Sequence, residues 1–173
     1  MWAFVLFESL VFTSYFMVYL YSRTQHADLF LHAQSQLHLP IGVLNTIVLL
    51  TSSWFAARCV QASRNGESRS ALIYVSVAAG LGVVFLITKV LEWAGQIRQG
   101  NTFTTNEFFQ HYFFLTSIHC LHLLIGFVAL GVAARQLRRR ERRSQQLIET
   151  VATYWHTVDF LWVLIFALLY VVR

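Results

Sequence analysis

Long apolar runs separated by short polar stretches dominate the chain. They cover residues 2–21, 41–60, 71–93, 108–134 and 154–172. Most reach the roughly 20 residues that a helix needs to cross a ~30 Å hydrocarbon core. Lipid offers no partner to unpaired backbone groups, and barrel strands would alternate in polarity. The pattern therefore predicts an all-α integral membrane protein, a single domain forming a bundle of five transmembrane helices.

Composition agrees with a membrane location. The 173 residues are 57% hydrophobic and 12% charged, with a mean hydropathy of +0.55. Soluble domains are nearer half apolar and a quarter charged. A signal peptide is the competing interpretation of the first run, but that run is too long, lacks a basic start and contains Glu8. In the loop before Pro40, the stretch "ADLFLHAQ" predicts a short interfacial helix.

Arginine placement predicts the orientation. Nine arginines flank the connections after the second and fourth runs, and three lie on the other side. The nine are Arg58, Arg64, Arg69, Arg135, Arg138, Arg139, Arg140, Arg142 and Arg143; the three are Arg23, Arg98 and Arg173. The positive-inside rule then places the N-terminus in the cytoplasm and the C-terminus outside, in a cell inner membrane. The run "RRRERR" is interpreted as a cytoplasmic loop near anionic lipid, not as a nucleic-acid site.

Polar residues inside the runs are the candidate functional residues, because an ionisable group at membrane depth is costly. They are Glu8, Asn45, Lys89, Glu92, His119, His122, His156 and Asp159. Glu8, His156 and Asp159 are expected at a similar depth in the cytoplasmic half. Two alternatives stay open for Glu8: a neutral, hydrogen-bonded structural carboxyl group, which the residues alone favour, or a proton-exchanging group in a water-bearing cleft. The other five are expected to be structural. Lys89 and Glu92, near the outer end, are expected to form an internal ion pair or a snorkelling pair.

The stretch "LTSIHCLHLLIG" raises the alternatives of haem or metal ligation. A b-type haem needs two histidines from different helices at one depth, whereas His119 and His122 share one helix. His156 is expected about 15 Å away in depth at 1.5 Å per residue. Structural hydrogen bonding between helices is therefore favoured, with a lipid or cavity role left open, and no metal or cofactor site is predicted in this chain.

Two further patterns bear on packing. Ser53 with Ala57, and Ser76 with Gly80, have the small-residue spacing that allows close helix approach. Tyr154 and Trp155 are expected to belong to an interfacial aromatic belt, as is Trp93.

Several stretches, in order along nearly the whole chain, resemble subunit III of the haem-copper terminal oxidases. They are "WAFVLFESLVF" with Glu8, "LNTIVLLTSSW", "VLEWAGQI" with Glu92, "FFLTSIHCLHLLIG" with its two histidines, and "YWHTVDFLWVLIFALLY" with His156 and Asp159. Long family members have seven helices. The length and first residues of this chain are most similar to short five-helix homologues associated with nitric oxide reductase.

The resemblance implies a role without redox chemistry in this chain. Subunit III packs against the catalytic subunit I, together with other subunits, holds phospholipid and supports proton delivery. The resemblance thus implies a proton- or lipid-related role for Glu8, His156 and Asp159. Haem and copper or iron belong to the partner subunits. The chain is then not an enzyme by itself. A self-contained haem-binding cytochrome or quinone-linked enzyme is the alternative, and a small transporter is a weaker one.

Overall fold

The computed structural model describes residues 2–138 and 144–172, with side chains from Glu8 onward, and contains only helices within these ranges. The elements are α1 (Trp2–Gln25), α2 (Ala27–Ser35), α3 (Leu39–Arg64), α4 (Ser68–Arg98), α5 (Glu107–Arg138) and α6 (Gln145–Phe166), followed by a π-helical turn, Ala167–Val171, here called the C-terminal turn. The all-helical prediction is confirmed for this part of the chain.

Four of the predicted membrane runs correspond to helices long and apolar enough to cross a bilayer. These are α3, α4, α5 and α6 together with the C-terminal turn. The helices extend past the predicted apolar runs, with 31 residues in α4 and 32 in α5, because polar residues continue each helix beyond its apolar part. The fifth predicted span falls on α1, which has 24 residues. Arg139, Arg140, Arg142, Arg143 and Arg173 lie outside the described residues.

The short helix expected before Pro40 is present as α2. Pro40 lies in the first turn of α3. Backbone N–H groups in a first turn make no intrahelical hydrogen bond, so proline, which lacks an N–H, is tolerated there. Gly66 and Gly100 end α3 and α4 with positive φ angles of 82° and 86°, a conformation that glycine adopts without steric cost. These turns reverse the chain between successive helices.

Hydrogen bonds between buried side chains join three helices at the centre of the bundle. Ser52 Oγ on α3 donates to the Ala78 carbonyl on α4 over 2.8 Å. Trp155 Nε1 on α6 donates to the same Ser52 Oγ over 3.0 Å. The small side chain of Ser52 thus allows α4 and α6 to approach α3 and also satisfies the indole N–H.

Three of the four residues in the expected small-residue contact faces do not pack within this chain. Ala57, Ser76 and Gly80 are exposed, and the buried residues of α3 and α4 include Ala56 and Ala78 instead. Ser53 does contact another helix, through His156 on α6. One residue rotates a helix position by about 100°. The spacing of four residues was visible in the sequence. The sequence did not show which side of each helix faces its neighbour.

Trp155 is a core residue and not part of an interfacial belt, which corrects that expectation. Its side chain is fully buried and lies against two glycines. A Cβ on Gly126 would lie 2.8 Å from Trp155 Cζ3, and a Cβ on Gly82 would lie 3.0 Å from Cη2. The indole therefore occupies space that exists only because α4 and α5 carry glycine at these positions.

Replacing Gly126 by alanine is expected to lower the thermal stability of the protein in detergent. The added methyl group overlaps Trp155, and overpacking of this kind costs about 1–3 kcal/mol. Gly131→Ala on the same helix is the matched control, since a Cβ there meets nothing within 4 Å and alanine favours the helix. Equal unfolding midpoints for the two variants would contradict the packing described for Trp155.

Candidate functional site

The first candidate, Glu8, contacts His122 across the interface between α1 and α5. Glu8 Oε2 lies 2.9 Å from His122 Nε2, and both side chains are mostly buried. His122 Nδ1 lies 2.8 Å from the Ile118 carbonyl oxygen on its own helix. A carbonyl oxygen only accepts, so this contact assigns a proton to Nδ1.

This assignment defines the chemistry of the Glu8–His122 pair. Nε2 faces the Glu8 carboxyl group in one of two forms. Either a neutral imidazole accepts from a protonated carboxyl group, or an imidazolium donates to a carboxylate. Both forms place one proton between the two side chains. The pair lies in a partly apolar environment, and Phe12 packs edge-on against the imidazole at 5.7 Å.

The structure corrects the expected depth of His122. Tyr154 Oη, near the inner part of α6, donates to the His122 carbonyl over 3.1 Å. His156 follows two residues later, about 3 Å further along the helix. The expected separation of about 15 Å between His122 and His156 was therefore too large. The estimate failed because it assumed where each helix enters the membrane.

A second histidine contact between α1 and α5 lies further along the same interface. Tyr15 Oη lies 2.9 Å from His111 Nδ1, and Tyr19 packs edge-on against the same imidazole at 5.5 Å. His111 is buried. Sequence analysis did not assign His111 a contact, although it lies 11 residues before His122, about three helical turns away on a similar face.

His119 does not make the hydrogen bonds that were expected of it. Its side chain is fully buried, with the edge of the ring toward Phe85 at 5.4 Å and a tilted contact with Trp162 at 5.1 Å. Within the described residues, neither ring nitrogen has a hydrogen-bond partner. His119 and His122 are one helical turn apart but have different environments. His119 lies among aromatic side chains in the core, and His122 lies in the α1–α5 interface.

His156 and Asp159 face α3. His156 Nδ1 lies 2.5 Å from Ser53 Oγ. Asp159 is also buried, and its carboxyl group lies beside the same serine. The structure thus divides the predicted set of three, because Glu8 contacts α5 while His156 and Asp159 lie on the α3 side of α6.

Lys89 and Glu92 form a buried ion pair, which excludes the snorkelling alternative. Lys89 Nζ lies 3.0 Å from Glu92 Oε2, and both side chains are inaccessible to solvent. Nζ also donates to the hydroxyl groups of Tyr170 at 2.9 Å and Tyr112 at 3.3 Å. Tyr170 Oη in turn donates to Glu92 Oε1 over 2.5 Å.

Aromatic rings and a neighbouring amide complete this outer polar region. Nζ of Lys89 lies 4.7 Å from the ring centroid of Tyr112 and 5.0 Å from that of Trp162. Thr88, the residue before Lys89 on α4, donates a hydrogen bond to Asn45 Oδ1 on α3. The two tyrosines were not singled out from the sequence, since they lie 23 and 81 residues from Lys89. A buried lysine in a membrane helix does, however, require acceptors.

These contacts indicate what the site residues do chemically. Within the described residues, no group of three or more His, Cys, Asp and Glu side chains is arranged to hold a metal ion. Glu8 is in close contact with His122, and Lys89 is paired with Glu92. The polar side chains mainly connect one helix to another. The fold and these contacts define a multi-pass helical membrane protein whose internal polar groups bind each other.

The chain belongs to the cytochrome c oxidase subunit III family, whose model matches residues 1–172. It is 30% identical to cytochrome c oxidase subunit 3 of Thermostichus vulcanus, over 97% of this chain and 83% of that protein. It is 25% identical to cytochrome c oxidase subunit 3 of Bacillus sp. PS3, over 98% and 82%. It is also 26% identical to the probable quinol oxidase subunit 3 of Staphylococcus saprophyticus, over 78% and 68%. The resemblance drawn from the motifs is confirmed.

Replacement of His122 by leucine is expected to destabilise the protein by about 1–3 kcal/mol, because it leaves the Glu8 carboxyl group partly buried without a partner. His122→Gln retains a polar group and should cost less. The measurement is a double-mutant cycle with Glu8→Gln and His122→Leu, read from unfolding in detergent. The double variant should lose less than the sum of the two single variants. Strict additivity would show that the contact contributes nothing.

Proposed function

We propose that this chain is an accessory membrane subunit of a haem-copper terminal oxidase, which packs against the catalytic subunit and supports proton delivery and stability during turnover. Membership of the subunit III family supports the assignment. The observation that carries it is the use of the internal polar residues. Glu8 contacts His122 between α1 and α5, and the Lys89–Glu92 pair on α4 is joined to the C-terminal turn through Tyr170. Haem and copper or iron are assigned to partner subunits.

Purification of the intact complex in mild detergent tests the assignment. A tag on this chain should retain a large haem-containing subunit in fixed proportion, detected by mass spectrometry and by the haem spectrum. The identity of that subunit also decides between oxygen and nitric oxide as the substrate of the complex. The named relatives are oxidase subunits, which supports oxygen. Recovery of the chain without a haem protein would contradict the proposal.

The proposal includes a role for Glu8 in proton supply. Glu8 lies on the peripheral helix α1 and is 15% exposed, so its carboxyl group lies at the edge of the bundle while it contacts His122. We propose that the two side chains hold a proton at this edge and exchange it with water that enters from the cytoplasmic side. His156 and Asp159 are proposed to support this region from the α3 side of α6, through the contact with Ser53.

Phospholipid is the proposed ligand of the bundle surface. Large apolar side chains are exposed along several helices, including Met17 on α1, Ile47 on α3, Ile87 on α4 and Phe160 on α6. Such side chains are stable only in contact with lipid or with another apolar protein surface. Phe160 follows the buried Asp159 directly, so lipid on this face would lie beside the proposed proton-related residues.

Five spans with a cytoplasmic N-terminus complete the proposal. Contacts along α1 and α6 support it, because the two helices run in parallel over most of their length. Glu8 and Tyr154 both contact His122 at one end, and Arg23 contacts Val172 at the other. A helix of 24 residues is about 36 Å long, enough to cross the hydrocarbon core.

Reporter fusions are expected to place the two termini on opposite sides of the membrane. A reporter at the N-terminus and one inserted after Arg143 should both be cytoplasmic, since arginine-rich segments are retained inside. A reporter after Arg173 should be external. If the N-terminus and Arg173 were found on the same side, α1 would not span the bilayer.

Glu8→Gln is expected to leave assembly and the initial turnover rate nearly unchanged, because glutamine retains size and hydrogen-bonding capacity. Activity should decay faster over many turnovers, or less phospholipid should be retained, because the proton-exchanging group is lost. The measurement compares initial rate, decay rate and bound phospholipid with those of the parent complex. Glu67→Gln on the exposed turn before α4 is the control for loss of one carboxylate.

Two outcomes of this experiment would count against the role given to Glu8. Abolition of the initial rate in a fully assembled complex would show that Glu8 is essential for turnover itself. Identical behaviour of Glu8→Gln and the parent in all three measurements would show that Glu8 has no role in proton supply.

A further inference from the structure

The C-terminal turn has backbone carbonyl groups that its own helix does not satisfy. The turn, Ala167–Val171, is π-helical, and Val172 N donates to the Ala167 carbonyl over 2.9 Å, a spacing of five residues. The last carbonyl groups of a helix have no intrahelical donor and need partners from elsewhere. π turns inside α-helices are uncommon and are often found at functional positions.

Side chains from α1 and α2 supply the missing donors. Tyr19 Oη on α1 donates to the Leu168 carbonyl over 3.1 Å. Gln34 Nε2 on α2 donates to the Val172 carbonyl over 2.9 Å, and Arg23 at the end of α1 donates to the same carbonyl over 2.5 Å. Three donors from the N-terminal part of the chain thus converge on two carbonyl groups of the last turn.

The opposite side of the same turn is attached to the buried ion pair. Tyr170 accepts a hydrogen bond from Lys89 and donates one to Glu92, so its hydroxyl group bridges both charges. Buried charges in an apolar bundle require all of these partners, because an unsatisfied one is strongly destabilising. The position of Tyr170, and with it the path of the backbone through the C-terminal turn, is therefore fixed from inside the bundle.

We propose that the C-terminal turn is a latch that holds α2 and the outer half of α1 on the bundle, with Tyr170 as its anchor on the Lys89–Glu92 pair. The inner half of α1 is held separately by the Glu8–His122 contact, and the middle of α1 also contacts α5 through Tyr15 and His111. Lys89 and Glu92 do not contact α1 or α2 through this latch. They fix the position of the C-terminal turn through Tyr170, and the carbonyl groups of the turn then hold α1 and α2 by hydrogen bonds. The latch concerns how α1 is held and is independent of the role proposed for Glu8.

Tyr170→Phe tests the latch, because it removes only the hydroxyl group that joins the turn to Lys89 and Glu92. Peptide-resolved hydrogen–deuterium exchange is measured on the full chain in detergent micelles. Loss of about one net hydrogen bond corresponds to roughly a fivefold rise in local opening. We expect this rise in the C-terminal turn, in α2 and in residues 15–25 of α1, with exchange in α3 and α4 unchanged. Tyr74→Phe is the control, since Tyr74 on α4 contacts Arg58 and Phe55 away from the turn.

Tyr19→Phe separates the two sides of the latch. It removes the donor to the Leu168 carbonyl and leaves the Tyr170 anchor in place. Exchange should then rise in the outer half of α1 but not in the C-terminal turn. The proposal is overturned if Tyr170→Phe loosens the turn while α1 and α2 keep the parent exchange rates. It is also overturned if α3 and α4 loosen to the same extent, since the hydroxyl group would then stabilise the whole bundle.

Discussion

Satisfaction of polar groups buried between helices is the constraint on which this structure depends. Lipid offers no hydrogen-bond partner, so buried donors and acceptors are mostly paired within the protein, although in the described residues the ring nitrogens of His119 are not. Ser52 joins α4 and α6 to α3, and the Lys89–Glu92 pair joins α4 to Tyr170 in the C-terminal turn. These contacts set which faces of the apolar helices meet, a choice that apolar packing alone does not make in lipid.

The functional residues follow from the same constraint applied at the edge of the bundle. Glu8 is on α1, which packs at the periphery, and its partner His122 is on α5. The Glu8 carboxyl group is therefore paired with His122 and lies at the edge of the bundle. This position agrees with the proposed supply of protons to a catalytic neighbour, which requires no electron transfer in this chain. Membership of the subunit III family and the internal contacts therefore support the same role.

Prediction from the sequence succeeded for features that are local along the chain. The apolar runs predicted the helices α3 to α6, and the ordered motifs around Glu8, Glu92, His122 and His156 indicated the family. Contacts between distant segments were not predictable. The partner of Glu8 lies 114 residues further along the chain, and Tyr170 lies 81 residues beyond Lys89. Helix phase was equally inaccessible, as the fully buried Trp155 shows.

The central proposal is that His119 and His122 serve helix packing, that His122 also holds a proton with Glu8, and that haem is bound by the partner subunits. An absorption spectrum of the chain purified alone, under oxidising and reducing conditions, tests it most directly. The account predicts no Soret band and no reducible α-band, while the co-purified complex shows both. A Soret band in proportion to the isolated chain, lost in His119→Ala or His122→Ala, would contradict it.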